Sequence, residues 1–204
     1  MSTHVSAEAP APSFVSSLGN LLIAPREAFA GILRRPSPWL PLLAFVALHV
    51  VYLAVWLPKM DPLEMVRNQQ EAAGQEVKLP PESAAGFIKA FSAVITLVAP
   101  PLVILATAGV LLLVFRFFYG GDVTFKQAFT IAAWSFLALG LVTVPLMLVV
   151  MGLKGEWSLD PGSILIASPA ALLDRAATAK WLYAVAKALD LFSFWLIFLL
   201  ASGF

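Results

Sequence analysis

The chain has 204 residues, of which 60% are hydrophobic and 12% charged, with a net charge of +1. A soluble domain carries about 25% charged residues, so this composition excludes a globule clothed in water and moves the chain into a bilayer. The scattered Lys and Arg exclude a phosphate-backbone surface, and with it nucleic acid as a partner. The absence of cysteine removes disulfides, zinc–thiolate sites, iron–sulfur clusters and thiol nucleophiles together.

The pattern along the chain predicts an all-α fold: a polytopic helical membrane protein of about four transmembrane helices with an amphipathic interfacial helix at its N-terminus. Residues 1–13 lack a basic leader and an apolar core, so they do not read as a signal peptide. Their Ala, Pro and Ser content predicts a disordered tail. Residues 14–35 place Phe14, Leu18, Leu21, Leu22, Phe29, Ile32 and Leu33 at near-helical spacing, and Pro25 can open a second set of turns. Arg34 and Arg35 close the stretch. Two readings stand for it: a helix lying on the membrane face with its basic end on anionic headgroups, or a helix packed on the ends of the spans.

Trp39 to Leu57 is free of ionised residues and is the first span (39–57), near the roughly 20 residues needed to cross about 30 Å of hydrocarbon. Residues 58–83 form a polar outer loop. Asp61–Pro62 reads there as a helix start, Gly74 as its stop, and Arg67–Glu71 as an i, i+4 pair on a solvated face. Residues 84–119 hold a lead-in helix and the second span, expected to bend or break at Pro100–Pro101 because proline lacks the N–H and crowds the preceding turn.

A tight inner turn follows at 120–124. Gly120 and Gly121 open backbone angles closed to other residues, and Arg116 and Lys126 flank the turn as orientation anchors. Asp122 and Thr124 are equal candidates to cap the next helix. The third span is 125–152, with Pro145 inside it. Gly109 and Gly140 are small enough to permit close helix contact. Residues 153–180 make a second outer loop, with Ser168–Pro169 as N-cap and N1 of a short helix to about Ala179. Trp157, Trp181 and Tyr183 suit an aromatic belt at one interface. The fourth span, 181–204, begins with Lys187 and Asp190, placed as an i, i+3 pair at the interface. Charge beside the helices (Arg34, Arg35, Arg116, Lys126) places the N-terminus inside, although the longer outer loops hold more basic residues by raw count.

Three segments together carry a family likeness: LLIAPREAFAGILRRPSPWLPL before the first span, RFFYGGDVTFKQAFTIAAWS between the second and third, and LDLFSFWLIFLLASGF at the end. In these the chain resembles the Yip family of small polytopic membrane proteins, named for Ypt/Rab GTPase interaction, and especially its bacterial members. The resemblance implies the bacterial cytoplasmic (inner) membrane, a cytoplasmic N-terminus and usually five helices. Four are read here, so the chain is expected either to be a shortened form or to continue into a fifth. The eukaryotic branch is linked to vesicle traffic and prenylated GTPases. Its short acidic-aromatic motifs are missing here, so that activity is not carried over.

Three function classes are compatible with a chain of this kind. The reading preferred is a non-enzymatic membrane scaffold or bilayer-organising protein, its partners the lipid bilayer and either other proteins or copies of itself. The alternative is a small transporter or channel subunit for an apolar or lipid substrate, with Pro100–Pro101 as hinge. Ion-coupled transport wants ionisable residues inside spans, and the three long charge-free runs hold only His49 of that kind. Catalysis would need His49 to serve Ser92 or Ser135 as base. No metal or other cofactor is expected, since His4 and His49 are the only histidines. Gly120–Gly121 is a turn, not a phosphate loop.

Overall fold

The structure, a computed structural model, describes residues 13–159, 164–165, 168–173 and 178–204. All but one residue of the expected disordered tail and part of the second loop, 153–180, lie outside the described residues. Among the described residues there is no strand, and eight α-helices build the fold. They are α1 Phe14–Ile23, α2 Pro25–Ile32, α3 Trp39–Trp56, α4 Pro62–Ala72, α5 Ala85–Phe117, α6 Phe125–Lys154, α7 Lys180–Ala188 and α8 Leu191–Gly203. Three of them (α3, α5 and α6) are long and apolar enough to cross a membrane. Helices α7 and α8 make a fourth if the pair, bent by 52°, is one broken span.

Helix α6 is the hub. It packs against α1, α3, α5 and α8. Residues 128–135 are buried without interruption, so here the helix is covered on all sides rather than along one stripe. Small side chains at Ala128, Ala132, Ala133, Ala138 and Gly140 let the neighbours in. A Cβ on Gly140 would stand 3.1 Å from the Phe45 ring and 3.3 Å from Leu48, so α3 crosses α6 here in close contact. Gly109 differs: nothing lies within 4 Å of its Cβ position, so it mediates no contact within the bundle.

Ring contacts and hydrogen bonds fix the directions of the helices. Trp39 meets Phe129 edge-on at 6.4 Å at one end, and Trp56 Nε1 donates to the Trp157 carbonyl at 2.8 Å at the other. Helices α3 and α6 therefore start at the same end. The core divides along this axis. One cluster holds Leu21, Phe29, Ile104, Ile131 and Leu199 near the α6 N-terminus. The other holds Tyr52, Trp56, Met65, Met151 and Ile164 toward its C-terminus.

The N-terminal stretch is two helices joined at Ala24, not one. Leu21, Ala28, Phe29 and Ile32 are buried in the first core cluster, and Phe14 lies 5.0 Å from the Trp134 ring. Of the two readings for this stretch, the helices take the packed one along their inner side. Val15, Leu22 and Ile23 remain uncovered on the other side.

Three sequence expectations are corrected. Of the bend or break expected at Pro100–Pro101, the break is absent, and helix α5 continues through both residues. The two lost N–H donors do not end it, because its flanks are packed on α6 and α3 and a membrane helix tolerates proline where neighbours support it. The helix expected after Ser168–Pro169 is a 3-10 turn, Pro169–Leu172, and Ser168 makes no capping bond. Arg67 and Glu71 form no ion pair. Among the described residues the ion pair present is Lys78–Glu76, at 3.3 Å on the exposed loop.

Candidate functional site: a polar groove at the helix break

The break between α7 and α8 lies within the bundle, not at its rim. Helix α8 has 13 residues, about 20 Å at 1.5 Å per residue. Its C-terminal end is fixed near the α6 N-terminus, since a Cβ on Gly203 would overlap the Ile131 side chain and Phe204 stacks on Phe115 at 4.0 Å. Its N-terminal end therefore stops partway along α6. There Phe192 and Ser193 face Leu139, Gly140, Thr143 and Met147 across a groove of about 470 Å³, which His49 lines from α3. His49 lies about 10 Å along α3 from its C-terminal end at Trp56. The groove thus opens in from that end of the bundle and lies on the seam between the two core clusters.

This position corrects the reading of Lys187 and Asp190. They are not an i, i+3 pair on one helix. Lys187 is in the last turn of α7, Asp190 caps α8, and the bend separates the two helices. Both line the groove. Asp190 Oδ2 accepts from Ser193 N at 3.1 Å, which satisfies one of the free donors of the α8 N-terminus. Asp190 Oδ1 is buried without a hydrogen-bond partner, and so is Ser168 Oγ, whose residue is only 9% exposed and lines the same groove.

His49 adds a third polar atom. Its Nδ1 lies 2.9 Å from the Phe45 carbonyl oxygen, an atom that only accepts, so Nδ1 carries the proton. The Thr143 hydroxyl is occupied with the Leu139 carbonyl at 3.1 Å. The groove therefore presents a carboxylate oxygen of Asp190, a Ser168 hydroxyl that can donate or accept, and the Lys187 cation, against a wall of Phe45, Phe136, Val144 and Leu165.

The serines named with His49 as catalytic candidates are not brought to it. Ser135 Oγ is fully buried, unpartnered and outside the groove. Ser92 is on α5, which contributes nothing to the groove lining. Ser168, missed in that role by the sequence, shares the groove with His49 but makes no hydrogen bond to it. A nucleophile and its base need that bond. Among the described residues there is no metal-ligating cluster.

The remaining sequence-derived positions gather at the other end. Arg34 and Arg35 precede α3, Arg116 ends α5, and Lys126 opens α6, all four exposed. Gly120 takes φ +62°, and the Gly121 N–H donates to the Phe115 carbonyl at 3.1 Å to close the turn. Asp122 is exposed and caps nothing. The cap is Thr124, which accepts from Gln127 N at 3.3 Å while its own N–H donates to Gln127 Oε1 at 2.9 Å. Pro100 and Pro101 lie within α5, away from the groove.

Comparison with known families matches residues 19–204 to the Yip1 domain. The chain belongs to the Yip1-domain family. The match takes in all the helices except the first turns of α1, so the groove and the basic end are both parts of the Yip1 domain. Comparisons with curated proteins and with solved structures give no match. With its apolar spans, the Yip1 domain makes this an integral membrane protein.

Proposed function

We propose that this Yip1-domain protein is a non-enzymatic scaffold that organises the bilayer through helix–helix contacts, either with other membrane proteins or with copies of itself. The observation that carries this is the outward face of α5. Phe91, Val94, Val98, Leu102 and Leu105 recur every three or four residues and are between 42% and 57% exposed. Gly109 continues the stripe with open space before it. Small residues on such a face let a second helix approach closely, and in lipid the packing itself drives association.

The N-terminus is assigned to the cytoplasmic side of a bacterial inner membrane. Support comes from the short basic segments at the α3 start, α5 end and α6 start, all at one end of the bundle, where the positive-inside bias is read.

The chain has no cysteine, so single-cysteine variants report cleanly. Cysteines placed at Val98, Leu102 and Leu105 are expected to cross-link to a protein in native membranes, with weaker yield at Ile104, which is fully buried against the bundle. No cross-link at any α5 position would overturn the scaffold reading. A second reading, passage of an apolar or lipid substrate, is favoured by the groove at the α7–α8 break, since interrupted helices build transport sites at such depths. Substrate-dependent flux in proteoliposomes tests it.

A further inference from the structure

The groove holds more polar chemistry than a structural seam requires. We propose that it binds one phospholipid whose headgroup carries a primary ammonium and a phosphate, with the ammonium on Asp190 Oδ1 and Ser168 Oγ and the phosphate toward Lys187.

Hydrogen-bond accounting selects the headgroup. Buried polar atoms are almost always paired, and inside a bundle without water an unpaired one is strongly disfavoured. Asp190 Oδ1 and Ser168 Oγ are buried and unpaired. A primary ammonium carries three N–H donors and a positive charge. It can therefore donate to the carboxylate and the hydroxyl while matching the charge of Asp190, and the rings of Phe45, Phe136 and Phe192 line the same groove and favour a cation.

Lys187 completes the match. It lines the groove and forms no ion pair with Asp190, so a ligand bearing both charges can engage each without competing against an internal bridge. An anion alone meets the Asp190 carboxylate. A quaternary ammonium has charge but no donors and leaves the unpaired atoms as they are. The groove, at about 470 Å³, lies within the range of small-ligand sites, and Phe194 and Ile197, which follow the groove-lining Ser193 on α8, are exposed apolar surface. Acyl chains can leave along that surface. The non-helical backbone at Leu189 and Asp190 fits the same picture, since irregular chain at membrane depth is tolerated where it lines a polar cavity.

This inference needs neither a helix partner on α5 nor net lipid movement, so it stands or falls apart from both readings above. The test is native mass spectrometry of the full chain released from detergent with phosphatidylethanolamine, phosphatidylcholine or phosphatidylglycerol of matched chains. One phosphatidylethanolamine is expected to be retained about tenfold over either competitor, the scale of one charge-assisted hydrogen bond. Asp190→Asn keeps the helix cap, because Asn caps as well as Asp, and is expected to abolish the preference. Ser168→Ala, which touches no cap, is expected to reduce it, and it decides the matter if Asp190→Asn does not fold. Equal retention of the three lipids overturns the proposal, as does an unchanged preference in Ser168→Ala together with any folded Asp190→Asn. Millimolar O-phosphoethanolamine is expected to displace the lipid only weakly. Tight binding of that soluble compound by itself would make the groove a site for a free amine and overturn the lipid assignment.

Discussion

The indole N–H of Trp56 donates to the backbone carbonyl of Trp157 at 2.8 Å, across 101 residues of sequence. The bond ties the end of α3 to the chain leaving α6. Trp56 is 2% exposed, its ring stacks on Tyr52 at 5.5 Å, and Lys59 Nζ lies 4.0 Å above the Trp157 ring. Replacing Trp56 by Phe keeps an aromatic ring but leaves a carbonyl in an apolar setting without its donor. The expected loss is about 1–3 kcal/mol, read as a lower midpoint of unfolding in mixed micelles. Lys59→Met is expected to cost less, about 0.5–1 kcal/mol, because that cation is exposed.

Two glycines in long helices answer differently to the same change. Gly140→Ala places a methyl 3.1 Å from Phe45, and Gly140→Leu drives α3 off α6. Overpacking of this kind costs about 1–3 kcal/mol, and the Leu variant is expected to show the larger loss. Gly109→Ala has free space and is expected to be neutral for the isolated chain, or stabilising by up to about 1 kcal/mol. If α5 pairs with another helix through that face, Gly109→Leu lowers cross-linking at Leu102 and Leu105 without lowering the unfolding midpoint.

At the turn between α5 and α6 the two candidate caps separate cleanly. Thr124→Ala removes a capping box and is expected to cost about 0.5–2 kcal/mol. Asp122→Ala removes an exposed carboxylate that caps nothing and is expected to leave the midpoint within about 0.5 kcal/mol. Gly120→Val forces a branched side chain into φ +62°, at a cost of about 1–2 kcal/mol. The same midpoint measurement ranks all three.

Orientation is accessible to a thiol reagent that does not cross membranes. With the assigned topology, Glu76→Cys labels in intact cells and Asp122→Cys labels only after permeabilisation. Both positions are exposed, so burial does not confuse the result. The opposite pattern inverts the protein in the membrane.

The spans themselves were legible without a structure because the signal is local. Hydrocarbon offers a backbone no hydrogen-bonding partners, so a charge-free run of about 20 residues has little choice but to be a helix. Residues 39–57 and 127–153 are that kind of run, and the glycine pair at 120–121 marks the reversal between spans for equally local reasons. Thr124 and Asp122 stand at the limit of such reading. Both are good capping residues, and only the backbone path decides which of them reaches the first turn of α6.

What the tertiary structure alone decided is which apolar surface meets protein and which meets lipid. In water the buried face of a helix differs in composition from the exposed one. In a membrane both are apolar, so periodicity cannot mark α6 as the hub or α5 as the edge. The same blindness hid the continuity of α5 through Pro100 and Pro101, which depends on the helices packed beside it. It also hid the groove. His49, Ser168, Lys187 and Asp190 come from separate segments, and they share one cavity because α8 begins partway along α6, a fact of packing that no window of sequence contains.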